Sequence, residues 1–233
     1  MGLSDADYSV KSLKDFFGKE GELSRVVPGF ISRPMQIQMA QSVSDAITQE
    51  RNALLEAGTG TGKTFAYLVP LIESGKKAIV STGTKNLQDQ LFFQDLPLIT
   101  RLIDVGYRVA LLKGRGNYVC PERLDKSIKV ISKSTDFLDK LIEVREWTLR
   151  TRTGDITELS DFHDDPSILS MVTSTRDNCL GSRCPRFDAC PVYRARDAAN
   201  EADLVVVNHH LLFADLALRE ENLMQLLPTV EVI

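Results

Sequence analysis

The segment Ala57-Gly58-Thr59-Gly60-Thr61-Gly62-Lys63-Thr64 constrains this chain more than any other. Its glycines let the backbone bend into conformations that L-residues resist. Successive N–H groups then point inward and cradle phosphate oxygens. Ahead of it lies Ala53–Ala57, a short and mostly apolar strand candidate. Behind it Phe65, Leu68, Val69 and Ile72 recur at helical spacing, although Pro70 is expected to kink or shorten that helix. Strand, glycine-rich turn and helix in that order make a phosphate-binding loop with Ala57 in place of the first glycine. The helix N-terminus adds partial positive charge. In such a loop Lys63 reaches the β- and γ-phosphates and the Thr64 hydroxyl ligates Mg²⁺. The bland alternative is a Gly/Thr-rich surface turn that happens to hold a lysine.

The rest of the chain fits a layered α/β domain. Pro34 opens a helix in which Met35, Met39, Val43, Ala46 and Ile47 form one apolar face. Residues 85–94 read as helix. Lys77–Ser81, Tyr107–Leu112, Asp203–Val207 and Val230–Ile233 read as strands. Near-continuous apolar runs separated by helices argue a parallel sheet with helices on both faces. Between Gly114 and about Arg196 the texture changes, and all 4 cysteines fall there. The expected organisation is residues 1–113 as the first part of the sheet domain, 114–196 as a small, mostly helical insertion, and 197–233 as the return. Residues 1–27 read as a frayed lead or a short helix.

Composition narrows the function. The net charge is −4 and the pI near 5.5, far from the basic footprint of a simple nucleic-acid binder. Such a partner must be held by local patches. No apolar run approaches the ~18–20 residues needed to span a bilayer. The start, Met1–Asp7, has no basic n-region and no apolar h-region, so no secretory signal is expected. The expected compartment is the cytoplasm, where metal binding or catalysis is a better reading of cysteines than disulfides.

The cysteines are Cys120, Cys179, Cys184 and Cys190. Three within twelve residues can wrap one centre, and Cys120 can close it from afar. The spacing lacks the close pairs of a zinc ribbon and fits one poorly; a 4Fe–4S cluster also takes four cysteines, but zinc stays open on spacing alone, as do four unrelated buried thiols. From Arg108 to Lys133 the bases outnumber Glu122 and Asp125. Arg176, Arg183, Arg186, Arg194 and Arg196 likewise outnumber Asp177 and Asp188. Tyr118, Phe187 and Tyr193 are interleaved. Basic charge with aromatic faces suits single-stranded nucleic acid; the alternative is a solvated face over core aromatics.

Two smaller signals remain. Gln36, beside Arg33, can offer adenine a donor and an acceptor, or be a solvated first-turn residue. His209 and His210 suggest a metal pair, but Asn208 is a good N-cap and no third ligand is nearby, which favours a structural role.

Together these segments resemble a known family. Glu56–Thr64 is similar to motif I of superfamily 2 DNA helicases, and Ser81–Leu91 to their motif Ia. Lys113–Cys120, Cys179–Cys184 and Val207–Leu212 resemble the DinG/XPD-type iron–sulfur helicases, and within them the YoaA-like branch. The resemblance implies a RecA-like phosphate-loop domain interrupted by a cluster domain. It implies a 5′→3′ DNA helicase driven by ATP and Mg²⁺, working in repair or replication on single-stranded DNA and forked duplex. It implies a 4Fe–4S cluster on Cys120, Cys179, Cys184 and Cys190, Arg33 and Gln36 at the nucleotide, and Thr82, Thr84, Lys113 and Arg115 at DNA. A replication clamp-loader subunit is the implied protein partner. The family's Asp-Glu-Ala-His box does not occur before Ile233, so the chain reads as the N-terminal part of a helicase, inactive alone. A zinc-stabilised, non-catalytic nucleic-acid-binding module with a phosphate loop is the rival reading. A kinase or GTPase is a third, but no acceptor motif supports it.

Overall fold

A computed structural model describes residues 12–103, 106–131, 136–159, 165–221 and 225–233. Lys133 and residues 1–11 of the expected lead lie outside the described residues. The chain forms two compact units. Unit 1 comprises residues 1–109, 202–206 and 229–233; unit 2 comprises 110–201 and 207–228.

Two short helices, α1 (Leu13–Phe17) and α2 (Glu22–Val26), lead into α3 (Pro34–Thr48). Pro34 occupies the first turn of α3, as expected, because its missing N–H would have no partner there. The buried face of α3 keeps Ala46 and Ile47 of the expected one but not Met35. It carries Gln36, Ala40, Ala46 and Ile47, while Met35 is 62% exposed. Small and amide side chains let this face lie close to α4 (Lys63–Glu73).

Helix α4 runs past Pro70 to Glu73. Ala66, Leu68, Val69, Leu71 and Ile72 are buried on nearly all sides of it, and that packing offsets the one backbone bond Pro70 cannot make. Next come β1 (Ala78–Thr82) and α5 (Lys85–Gln90), followed by a π turn at Leu91–Asp95 and then α6 (Leu96–Ile103). The expected helix over 85–94 is thus longer and widened by the π turn. The wider turn keeps Leu91 and Leu96, five apart, in the same buried face with Ile99.

Strands β2 (Val109–Leu111) and β3 (Leu204–Asn208) complete a parallel sheet ordered β1–β3–β2, flanked by helices. Central β3 is buried from Leu204 through Val207, as a strand covered on both faces must be. Two expected strands depart from this. Val230–Ile233 makes only a single parallel bridge, Ala78 to Val232. Residues 53–57 form no strand, and Leu54 is fully exposed. No described strand flanks that segment to supply a ladder, and an apolar run without a paired neighbour does not hold as a strand.

Unit 2 is mostly helical. Around Val119, Leu124, Leu141, Val144, Ile168 and Val172 pack α7 (Pro121–Val130), α8 (Asp136–Thr148) and α9 (Pro166–Val172). α10 (Pro191–Glu201) and α11 (His209–Glu220) follow. Inside this unit the Lys113 ammonium meets the Asp155 carboxylate at 2.7 Å, both nearly withdrawn from water. The Lys113 N–H donates to the Tyr118 hydroxyl at 3.0 Å, and Tyr118 bridges Asp155 through the backbone. Gly154, at φ +68°, sits where a Cβ would come within 2.5 Å of Pro191. On α11, Asp215 accepts from Leu226 N and Leu227 N, and Arg219 donates to Asp215 at 2.6 Å. No motif announced that clamp.

Two outcomes follow from this packing. Gly154→Ala combines a forbidden φ with a collision and should destabilise unit 2 by about 2 kcal/mol, read by chemical denaturation. Burial, the largest cause, pushes the Tyr118 phenol up to about 12 from 10.0. The folded state keeps a proton that the unfolded chain releases, so this stabilisation is whole below pH 10 and is lost as pH rises toward 12. Tyr118→Phe should flatten the alkaline fall in stability between those values by about 2–3 kcal/mol, measured against the parent chain.

Candidate nucleotide pocket and cysteine site

The phosphate loop leads into α4 through Gly62, which is left-handed at φ +79°. That conformation turns the loop sharply, so the first N–H groups of α4 are left without intrahelical partners at its N-terminus. Gly60 is also left-handed, at φ +73°. The Lys63 ammonium donates to the Ala57 carbonyl at 2.7 Å and to Gly58 at 3.0 Å, which holds it across the loop. Thr61 ties the loop internally by donating to Gly58 at 3.0 Å. Thr64 hydrogen-bonds the Tyr67 phenol, whose pKa is raised chiefly by burial, lowered by that bond and raised by Asp95. Thr59 is exposed in the turn.

Gln36 is brought to this loop from α3. It is 2% exposed, and its Nε2 donates to the Gly62 carbonyl at 2.9 Å. Its Oε1 is buried with no hydrogen-bond partner. A buried, unpaired amide oxygen is costly, and it is free to accept from an N–H donor. Arg33, half-buried at the N-cap of α3, accepts Gln36 N through its carbonyl at 3.0 Å. The Gln36–Gly62 contact ties α3 to the loop, and no spacing argument from the sequence reveals it.

Beyond β1, Thr84 caps α5 by accepting from Leu87 N, and the Thr82 hydroxyl donates to the Thr84 carbonyl at 3.2 Å. Both stand at the end of a strand where phosphates can be contacted without base reading.

In unit 2 the four thiols are free and half-buried. Cys120 precedes α7, and its thiol accepts backbone N–H groups of Arg123 and Glu122. Burial, the largest effect, pushes its pKa up; Cys190 and Cys184 also act on it. Cys190 directly precedes α10, whose first turn closes with Arg194 N to Cys190 O at 3.1 Å. Cys179 accepts Gly181 N at 3.4 Å. Proline at the start of each helix suits this arrangement, since Pro121 and Pro191 need no donor there. Cys184 and Cys190 thus lie near enough to Cys120 for charge to act between them. Among the described residues, however, no three His, Cys, Asp or Glu side chains stand in metal-holding geometry.

Arg196, half-buried on α10, also belongs to this neighbourhood. Burial is the main cause lowering its pKa and Arg115 repels it, while Cys179, Cys190 and Tyr118 act the other way. The interleaved aromatics divide. Phe187 and Tyr193 pack with centroids 4.3 Å apart, and Tyr193 is 44% exposed. Tyr118 is buried, so it offers no stacking face. Lys113 is a correction of the same kind: at 3% exposure and paired with Asp155, it is an interior residue rather than a DNA contact. Its apolar neighbours Leu111 and Leu112 carry it inside. Arg115 is half-buried in a short turn, and Arg186 pairs with Asp125 at 3.0 Å. Asn208 caps α11 by accepting Leu211 N at 2.8 Å, while His209 and His210 are exposed.

The DEAD/DEAH box helicase family model matches residues 34–158. The chain is 48% identical over 228 residues to the ATP-dependent DNA helicase YoaA of Haemophilus influenzae, covering 97% of this chain and 36% of that protein. Against YoaA of Escherichia coli K12 it is 44% identical, over 94% of this chain and 35% of the relative. Against the E. coli K12 helicase DinG it is 33% identical, over 82% of this chain and 30% of the relative. The chain belongs to the DEAD/DEAH box helicase family. It spans about a third of the length of these relatives.

Gly62→Ala should abolish nucleotide binding. A Cβ there would lie 2.1 Å from the Gln36 amide at a φ that alanine resists, so the α3–loop contact must break. Titration with a fluorescent ATP analogue reads the loss.

Proposed function

We propose that this chain provides the nucleotide-binding and cysteine-bearing portion of a cytoplasmic, ATP-dependent 5′→3′ DNA helicase acting in repair or replication. One observation carries the reading: Gln36 and Lys63 meet the same glycine loop from two helices, in a chain whose relatives are named ATP-dependent DNA helicases. In this reading Arg33 and Gln36 engage adenine. Ala57 through Gly62 enclose the phosphates. Lys63 exchanges its bonds to Ala57 and Gly58 for stronger, charge-assisted bonds to β- and γ-oxygens, and Thr64 ligates Mg²⁺. Thr82, Thr84 and Arg115 contact the strand backbone. Single-stranded DNA and forked duplex are the substrates, and a clamp-loader subunit is the protein partner. Among the described residues no helix is long and apolar enough to cross a membrane.

The donor set suits a 4Fe–4S cluster in its chemistry: four free, half-buried thiols lie in unit 2, Cys184 and Cys190 near Cys120, with backbone N–H groups on two of the four. Cys120, Cys179, Cys184 and Cys190 would hold it, and it would supply a rigid centre that folds their segments together. Basic residues with the exposed Tyr193 beside it favour single-stranded nucleic acid. Zinc on the same cysteines is the second reading, since cysteine spacing alone leaves it open. Iron and sulfide content with a visible absorption band after anaerobic handling decides between them.

Lys63→Ala should weaken ATP-analogue binding roughly ten- to hundredfold, the worth of a charge-assisted bond of about 1.5–3 kcal/mol. Cys184→Ser should weaken binding of a labelled single strand more than that of the ATP analogue, and single-strand affinity should fall with salt. Equal losses for strand and nucleotide, or unwinding by the full-length protein only from 3′ tails, would overturn the reading.

A further inference from the structure

Two of the four cysteines are fixed by the backbone of unit 2. Cys120 N donates to the Val172 carbonyl at 2.6 Å, and the Cys120 carbonyl accepts Leu124 N at 3.0 Å in the first turn of α7. The Cys190 carbonyl accepts Arg194 N in the first turn of α10, and the next residue, Pro191, lies close over Gly154. The segment between, residues 175–189, is built differently. Apart from Cys179, Cys184 and Phe187 its residues are exposed. Its backbone bonds close short local turns, among them Gly181–Arg183. Local turns shape a segment without deciding where it stands against the helices. Two side chains supply that placement. Arg186 donates through Nε to Asp125 Oδ2 at 3.0 Å, and a second guanidinium nitrogen reaches the same oxygen. Phe187 packs on Tyr193 of α10, ring centroids 4.3 Å apart. Arg186 follows Cys184 by two residues, and Asp125 follows Cys120 by five. The two ties therefore join the Cys184 turn to the helix that starts after Cys120 and to the helix that starts after Cys190.

We propose that Arg186 and Asp125 are positioning residues for the cysteine site: their ion pair latches residues 175–189 onto α7, so that Cys184 is presented to a metal together with Cys120. This rests on the reading that the four cysteines bind a metal. Neither side chain is a ligand in this role. The pair removes freedom from an exposed segment beforehand, freedom that metal binding would otherwise have to remove at a cost in affinity. The planar guanidinium, with two nitrogens on one carboxylate, fixes direction as well as distance, which a lysine ammonium would not. Arg186 is thereby engaged within the protein and leaves the basic face read from the sequence.

The test uses the whole 233-residue chain, reduced and metal-free, titrated with cobalt(II) alone, reading the thiolate-to-metal absorption. Arg186→Gln and Asp125→Asn should each weaken cobalt binding roughly fivefold, the upper range for a pair that is not buried. The double variant should be no weaker than either single one, because both remove the same tie. Arg150→Gln, an exposed charge change in the same unit, should keep the parent affinity. Parent affinity in either single variant, or losses that add in the double one, overturns the proposal. So does an Arg186→Gln variant that binds cobalt like the parent but holds a labelled single strand more weakly, which would make the arginine a DNA contact. A parent chain that binds no cobalt overturns the metal reading itself, and the latch with it. A parent chain that binds cobalt yet takes up no iron and sulfide on anaerobic reconstitution overturns the cluster reading alone.

Discussion

The close approach of Gln36 to Gly62 is the contact on which the nucleotide site depends. The amide donates to the Gly62 carbonyl and occupies the space a side chain would need. It therefore demands glycine there, and glycine in turn permits the left-handed turn that starts α4 with its N–H groups unpaired. Lys63 follows at the first helical position and is swung back over the loop by two carbonyls. Helix α3 and the Lys63 end of the loop are thereby coupled through one residue of backbone, so displacement of α3 is felt at the lysine.

Unit 2 answers a different problem. A small helical body must bring cysteines far apart in sequence to one neighbourhood without a large core. It does so with a few costly, specific contacts. The Lys113–Asp155 pair is buried beside Tyr118, where breaking one partner would strand a charge. Gly154 admits Pro191, and with it the start of α10, to a distance no other residue allows. These contacts place the segment before Cys120 against the segment after Cys190.

Much of this was legible from residues alone. The loop at 57–64 was visible because glycine spacing and a following amphipathic stretch are local signals. The strands at 78–82, 109–111 and 204–208 were visible because continuous apolar runs leave few other choices. Residues 53–57 misled for the same reason: composition marks a segment fit for a sheet but says nothing of whether a neighbour is there to pair with it. Lys113 misled because a charge in a basic run looks solvated, and its partner Asp155 lies forty-two positions away. Gln36 gave an ambiguous signal, since its burial comes from α4 and not from its own helix. Arg196 was counted among surface bases, although its spacing from Val192 and Ala199 already put it on the inward stripe of α10. The clamp at Asp215 and Arg219 had the familiar four-residue spacing of a helical ion pair, but its real work is done on the chain returning at 226–228.

The π turn at Leu91–Asp95 has a consequence for how this helix tolerates change in length. It is in effect one surplus residue looped into an otherwise regular helix, with the inward stripe kept in phase on both sides. Excising a single residue there should let the ladder close into ordinary α-helix while Gln88 and Ile99 stay turned to the interior. The same excision one turn later, inside α6, would rotate the remaining stripe by about 100° and turn it toward water. This short stretch is thus a built-in slack point, where the chain can shed length without losing register.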